Sequence, residues 1–135
     1  NYLRKLFLLF LKEKEFRAWI KETDWSIYAH KAVRIHCATD AIIPTWAYML
    51  VTAALAEHTA DVVSGSEVAM EHYLIRKALQ NLEVSDFVDQ RVIVKGCANL
   101  LDQEHALTQL VLALKPYVKS MMFGEPCSTV PIFKR

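Results

Sequence analysis

Glycine is scarce in this sequence, with three residues in 135. No G-x-G-x-x-G fingerprint or P-loop can be read from it, and a phosphate-cradling loop is not expected. The G-x-S-x-G nucleophile elbow and the H-E-x-x-H zinc helix are missing as well. An excess of charge of one sign is also lacking. Sixteen basic residues face fifteen acidic ones, a net charge of +1. Nucleic acid and anionic membranes both favour clustered basic charge, so neither partner is expected. The closing Lys134-Arg135 pair is too short to alter that balance. Long hydrophobic runs are missing too. The longest uncharged stretch, Ala41–Ala56, spans sixteen residues and contains Pro44, Thr45 and Thr52. It falls short of the roughly 18 apolar residues of a spanning helix. Leu6–Leu11 is shorter still, with no small-residue cleavage site after it. No membrane span is expected. The chain opens on Asn1 instead of methionine, which suggests that further N-terminal residues precede it.

What is present suits one soluble domain with a real core, since about half of the residues are apolar. Cysteine numbers three, an odd count without a C-x-x-C pair. That pattern does not build a secreted disulfide framework and points to a reducing cytoplasm. Shifting the sequence by 59 residues lays Trp25–Gly65 over Val84–Gly124. Six positions coincide, Ser26/Ser85, Val33/Val92, Ala47/Ala106, Ala54/Ala113, Leu55/Leu114 and Gly65/Gly124, which is close to chance. Element order says more. Each segment reads as an aromatic lead-in (Tyr28, Phe87), a strand, a loop, a helix, a second strand and a glycine. The fold expected is a single α/β domain over residues 1–135, its sheet continuous and mainly parallel. Two weakly similar βαβ units build it, with helices on the faces.

Phe16, Trp19 and Ile20 fall at helical spacing between Glu13 and Glu22. A helix from Pro44 or Thr45 to about His58 is apolar on nearly every face, so it should be deeply buried or form a homodimer contact. Trp46 and Tyr48 on it read as core. Ser66 can cap a helix to about Leu82, with Val68, Ile75 and Leu79 inward, and Asp102 can cap another that Pro116 ends. Ser128–Phe133 reads as an edge strand, the one sheet position that tolerates Pro131. The opening Leu6–Leu11 run is ambiguous between strand and helix.

Chemistry points to the three thiols. Cys37 closes Val33–His36, Cys97 closes Val92–Gly96, and Cys127 follows Val118–Gly124 in the polar turn Gly124–Thr129. Ligands of open α/β sheets collect at the carboxyl ends of strands. A thiol at a strand-to-helix turn is favoured as thiolate, the soft ligand that suits zinc, copper(I) or an iron–sulfur cluster. Cysteine is equally a common small core residue, and without local C-x-x-C spacing a metal site rests on tertiary convergence. A fourth ligand would come from His36, Asp40, His105, Glu125, solvent or a partner subunit. The alternative is a thiol enzyme or sulfur-transfer protein with Cys37 or Cys127 activated. His36 adjoins Cys37 but points to the other face of a strand, so the base must come from elsewhere, for instance His105. Asp40 reads as a turn cap. His30, His58 and His72 read as surface residues, His58 near a helix C-terminus. At the 59-residue shift Cys37 falls on Gly96 and Cys97 on Ala38, so the two thiols are offset by one residue.

Leu11–Arg17, Cys37–Leu50, Val94–Cys97 and above all Gly124–Arg135 resemble an uncharacterised bacterial family found mainly in the Bacteroidetes, domain of unknown function 2480. The resemblance covers essentially the whole chain. It implies a longer N-terminus, and Cys37, Cys97 and Cys127 as family positions. Ala98–Leu101 departs from the family's more polar loop, which leaves only the thiol of that loop carried over. Association of such genes with the sulfur-mobilising iron–sulfur assembly system implies an accessory role in iron–sulfur metabolism. Zinc, iron or an iron–sulfur cluster as cofactor, and iron–sulfur assembly proteins as partners, are the corresponding expectations. A thiol enzyme and a non-catalytic homodimeric interaction domain are the two alternatives.

Overall fold

The computed structural model describes residues 13–38, 43–96, 99–125 and 128–135. These residues form an α/β chain with two small sheets. The chain divides into two compact units, residues 1–70 and 71–135.

In the first unit, α1 (Glu13–Glu22) puts Phe16 into the core and leads to a 3-10 helix, Trp25–Tyr28. β1 (Val33–Ile35) pairs in parallel with β2 (Val62–Ser64), and α2 (Thr45–Leu55) joins them. Phe16, Trp25, Ile35, Ala47, Val51 and Leu55 form the core. Trp25 satisfies its indole N–H on the carbonyl of Ile20 at 2.7 Å, which lets a large aromatic with a polar edge be buried. Val33 keeps register with Val62, and the guanidinium of Arg34 reaches over the strand end to the carbonyl of Gly65 at 3.0 Å. Gly65 has φ +137°, a conformation that only glycine adopts freely.

α2 departs from the burial expected of an all-apolar helix. Only Ala47, Val51 and Leu55 are buried, a narrow stripe at i, i+4 and i+8. Met49 is 69% exposed and Trp46 lies on the surface, its ring 6.0 Å from that of Phe16. Trp46 is therefore not core, whereas Tyr48 is half-buried. The helix also stops at Leu55, so His58 sits in the turn that follows, where its carbonyl accepts from the backbone N–H of His30.

In the second unit, α3 (Glu67–Gln80), whose first turn precedes the unit boundary at Met70, starts at Ser66. The Ser66 hydroxyl accepts from the N–H of Ala69, an N-cap as the sequence suggests. A 3-10 helix at Val84–Phe87 leads into β3 (Arg91–Lys95), then α4 (Gln103–Leu114), β4 (Ser120–Glu125) and β5 (Ser128–Lys134). The sheet order is β3-β4-β5, with β3 and β4 parallel and β5 antiparallel at the edge. Pro131 sits in that edge strand, and Ile132 is the extra residue of a bulge between Met121 and Met122. Leu114, Val118 and Met121 are the buried core, wrapped by Val92, Phe87 and Phe133. Val68 on α3 is 36% exposed, so the inward face expected of this helix narrows to Ile75 and Leu79.

The sheet is therefore not continuous and parallel. Among the described residues β1–β2 and β3–β5 are separate, and the last strand reverses direction. The reversal follows from the short Glu125–Ser128 connection, which can close a hairpin but not a parallel crossover.

Local details recur at one spacing. The 3-10 helices start at 25 and 84 and end at 28 and 87. Asp24 and Glu83 each accept from the N–H of a serine two residues on, Ser26 and Ser85. His30 and Asp89 both adopt left-handed backbone, φ 60° and 57°. Their N–H groups bond to the carbonyls of His58 and Tyr117, at 3.1 and 2.9 Å.

Candidate functional site

Each thiol follows a strand by two residues: Cys37 after Ile35, Cys97 after Lys95 and Cys127 after Glu125. Only Cys37 is among the described residues; Cys97, Cys127 and Asp40 lie outside them, as does the side chain of Glu125. Cys37 is a partly buried cysteine outside any disulfide in the first unit, and His36 beside it is also partly buried. The thiol lies near Tyr48, whose phenol is pushed above its ordinary pKa first by burial and then by the neighbouring Cys37. Among the described residues no three His, Cys, Asp or Glu side chains are grouped so as to hold a metal ion.

In the second unit, β3 and β4 run in parallel with Lys95 opposite Gly124. The chain thus leaves both strands toward Cys97 and Cys127 at one edge of one sheet. α4 begins beside that edge. A Cβ on Gly96 would come within 3.4 Å of Gln103 Oε1 and 3.5 Å of Phe123 Cζ, so glycine lets the loop pass close to the helix start.

A polar cluster holds the N-terminus of α4. Asp102 is the N-cap, and its Oδ1 accepts from the backbone N–H of His105 at 3.1 Å. Its Oδ2 lies 2.8 Å from Nε2 of His72 on α3. The Glu71 carboxylate accepts the backbone N–H of Leu101 at 2.8 Å and of Asp102 at 2.9 Å. The imidazole of His72 stacks on that of His105, with centroids 3.7 Å apart and planes 24° from parallel. The His72 hydrogen bond, then the His105 N–H, holds the Asp102 carboxyl below its ordinary pKa. An ionised carboxylate only accepts, so Nε2 of His72 is the donor in this contact.

His105 is the exception in this network. Both ring nitrogens are buried, and neither has a hydrogen-bond partner among the described residues. A buried polar atom left unpaired costs about 1–3 kcal/mol, and such atoms recur where a ligand completes a site. His105 was a candidate from its sequence position, and it proves to be the one whose ring lacks partners. His72, read from sequence as a surface residue, is instead half-buried and bonded to Asp102. Its role was hidden because the partner is 30 residues away.

No helix among the described residues is long and apolar enough to cross a membrane. No curated protein and no solved structure matches the chain. The family model described as protein of unknown function (DUF2480) does match, over residues 2–135, and the chain belongs to that family.

Proposed function

We propose that this protein is a cytoplasmic accessory protein that handles zinc, iron or an iron–sulfur cluster through thiolates at the carboxyl edge of β3 and β4. Cys97, Cys127 and His105 are its principal ligands, with Glu125 or solvent completing the set. The observation that carries the reading is His105, an imidazole whose two nitrogens are buried without partners among the described residues, at the start of the helix that follows Cys97. The parallel register of β3 and β4 supports it, because both strand ends leading to a thiol share one edge. Thiolate and imidazole together suit a borderline metal such as zinc. Cys37, in the other unit, with His36 and Asp40 as candidate co-ligands from the sequence, serves as a further thiolate for metal or cluster exchange with iron–sulfur assembly proteins. Anaerobic purification, metal analysis and a visible spectrum test the reading. Bound zinc or iron that is lost in Cys97→Ser and Cys127→Ser is the expected result. A metal-free protein with all three thiols freely alkylated would contradict it.

A second reading, a thiol enzyme or sulfur-transfer protein, is favoured by the His72–Asp102 pair. A carboxylate that orients an imidazole is how a base is prepared for a nucleophile. It requires one thiol to alkylate much faster than the others near neutral pH, and to lose that advantage in His72→Ala. Uniform slow labelling would remove this reading. The homodimer alternative draws on the exposed face of α2 around Met49. A monomer by light scattering would end it.

The two segments also read as diverged copies of one module, a capped 3-10 turn followed by β-α-β within a single domain. The shared cap, left-handed residue and backbone bonds at one spacing support this more than the six identities do.

A further inference from the structure

The sheet of the second unit has one face turned to the core and one left open. Val92, Val94 and Met121 pack with Leu114 of α4, so strand alternation sends their neighbours on β3 and β4 to the opposite side. The Gly124 contacts agree: a Cβ there would lie 2.7 Å from Cγ2 of Ile93 and 3.9 Å from Cγ of Lys95. On this opposite face Ile93 is 58% exposed and Met122 37%. Parallel strands are ordinarily covered on both faces, so an open apolar one is where a further layer belongs. The register sorts that face into three rows across the strands. Ile93, Met122 and Pro131 form an apolar middle row. Arg91 and Lys134 border it on one side, with Ser120 between them, and Lys95 borders it on the other, beside Gly124 and Thr129.

Charge decides what fits there. No position in the three rows is acidic, and Arg91, Lys95 and Lys134 are exposed without an ion pair among the described residues. A second copy of the same face would set cation against cation. Residues 1–12 of the chain carry Arg4, Lys5 and Lys12 and no acid, so they would be repelled in the same way. Single-stranded nucleic acid is held by stacking on aromatic rings, and the middle row has none. Anionic lipid is recognised by clusters of about 4–8 basic residues, more than this face offers. An apolar row bordered by cations on both sides is matched by a helix whose apolar stripe is bordered on both sides by Glu or Asp.

We infer that the open face of β3, β4 and β5 docks an acidic amphipathic helix of a partner protein. Its apolar stripe lies on Ile93 and Met122, and its carboxylates meet Arg91, Lys95 and Lys134. The inference is independent of the metal reading, since none of these side chains is a proposed ligand. Fluorescence anisotropy of the full chain with a labelled synthetic helix of the repeat Leu-Glu-Glu-Leu-Leu-Glu-Glu tests it. Saturable binding that weakens with added salt is expected, with none for the same helix carrying Lys in place of Glu. Arg91→Glu combined with Lys95→Glu should weaken binding about tenfold, the scale of two exposed ion pairs turned repulsive. Ile93→Asp should weaken it by a similar factor, by setting a charge in the apolar row. Circular dichroism checks that both variants fold. No saturable binding to the wild-type chain would overturn the inference, as would equal binding of the lysine helix or folded variants that bind as the wild type does. Tighter binding of oligouridylate or of phosphatidylserine vesicles, lost in the same variants, would overturn it too, by giving the face to nucleic acid or to a membrane.

Discussion

Asp102 caps α4 through one oxygen and holds His72 through the other, while Glu71 fixes the backbone on its N-terminal side. Its carboxyl pKa is lowered, chiefly by the His72 bond. A folded-state pKa below the unfolded one gives stability that is present above the unfolded value and lost as pH falls through the folded one. Wild type should therefore exceed Asp102→Asn in stability at neutral pH, and the gap should close in acid. Urea unfolding at pH 7 and pH 3 measures it; a gap unchanged by pH would show that the carboxylate's charge contributes nothing. Leu55, 1% exposed at the end of α2, is a plainer case. Leu55→Ala should cost about 2–5 kcal/mol by the same measurement, the range for a large-to-small change in a closed core. The caps at Ser66 and Asp102 were legible in sequence because a cap needs only residues a few positions away. His72 was not, since nothing local distinguishes a histidine on a helix surface from one that reaches a carboxylate 30 residues on.

Among the elements, β3 and β4 meet at a glycine that leaves no room for a side chain. A Cβ on Gly124 would lie 2.7 Å from Cγ2 of Ile93, a branched and stiff atom that cannot swing aside. Gly124→Ala should destabilise the chain by about 1–3 kcal/mol, the usual cost of overpacking. Ile93→Ala should recover part of that loss in the double variant, and strictly additive effects would contradict the contact. Helix α1 was legible because Phe16, Trp19 and Ile20 share one face, and Phe16 is indeed core. β5 was legible from Pro131, which only an edge strand accommodates. α2 misled because composition reports how apolar a helix is, not how much of it the neighbouring elements can cover. With one narrow stripe facing the core, Met49 and Trp46 stay at the surface. The sheet misled for a similar reason. Strand alternation does not encode which strands pair, and the parallel order stops where a short connection forces a hairpin.

At the scale of the whole molecule, two segments with the same capped turn, left-handed residue and parallel strand pair form one α/β chain of the DUF2480 family. If they form a single domain, thermal unfolding should show one cooperative transition by both far-UV circular dichroism and tryptophan fluorescence. All three tryptophans, Trp19, Trp25 and Trp46, belong to the first unit, so a fluorescence midpoint displaced from the backbone midpoint would reveal independent halves. The proposed function rests on the edge where β3 and β4 end, and on the His105 imidazole, whose nitrogens have no hydrogen-bond partner among the described residues. The most direct measurement is a cobalt(II) titration of the reduced, anaerobic full chain, followed by thiolate-to-cobalt charge-transfer absorption. The band should saturate at one equivalent, vanish in Cys97→Ser and Cys127→Ser, and weaken in His105→Ala while Cys37→Ser leaves it in place. Absence of the band in the wild-type chain, or its persistence without Cys97 and Cys127, would contradict the proposed site.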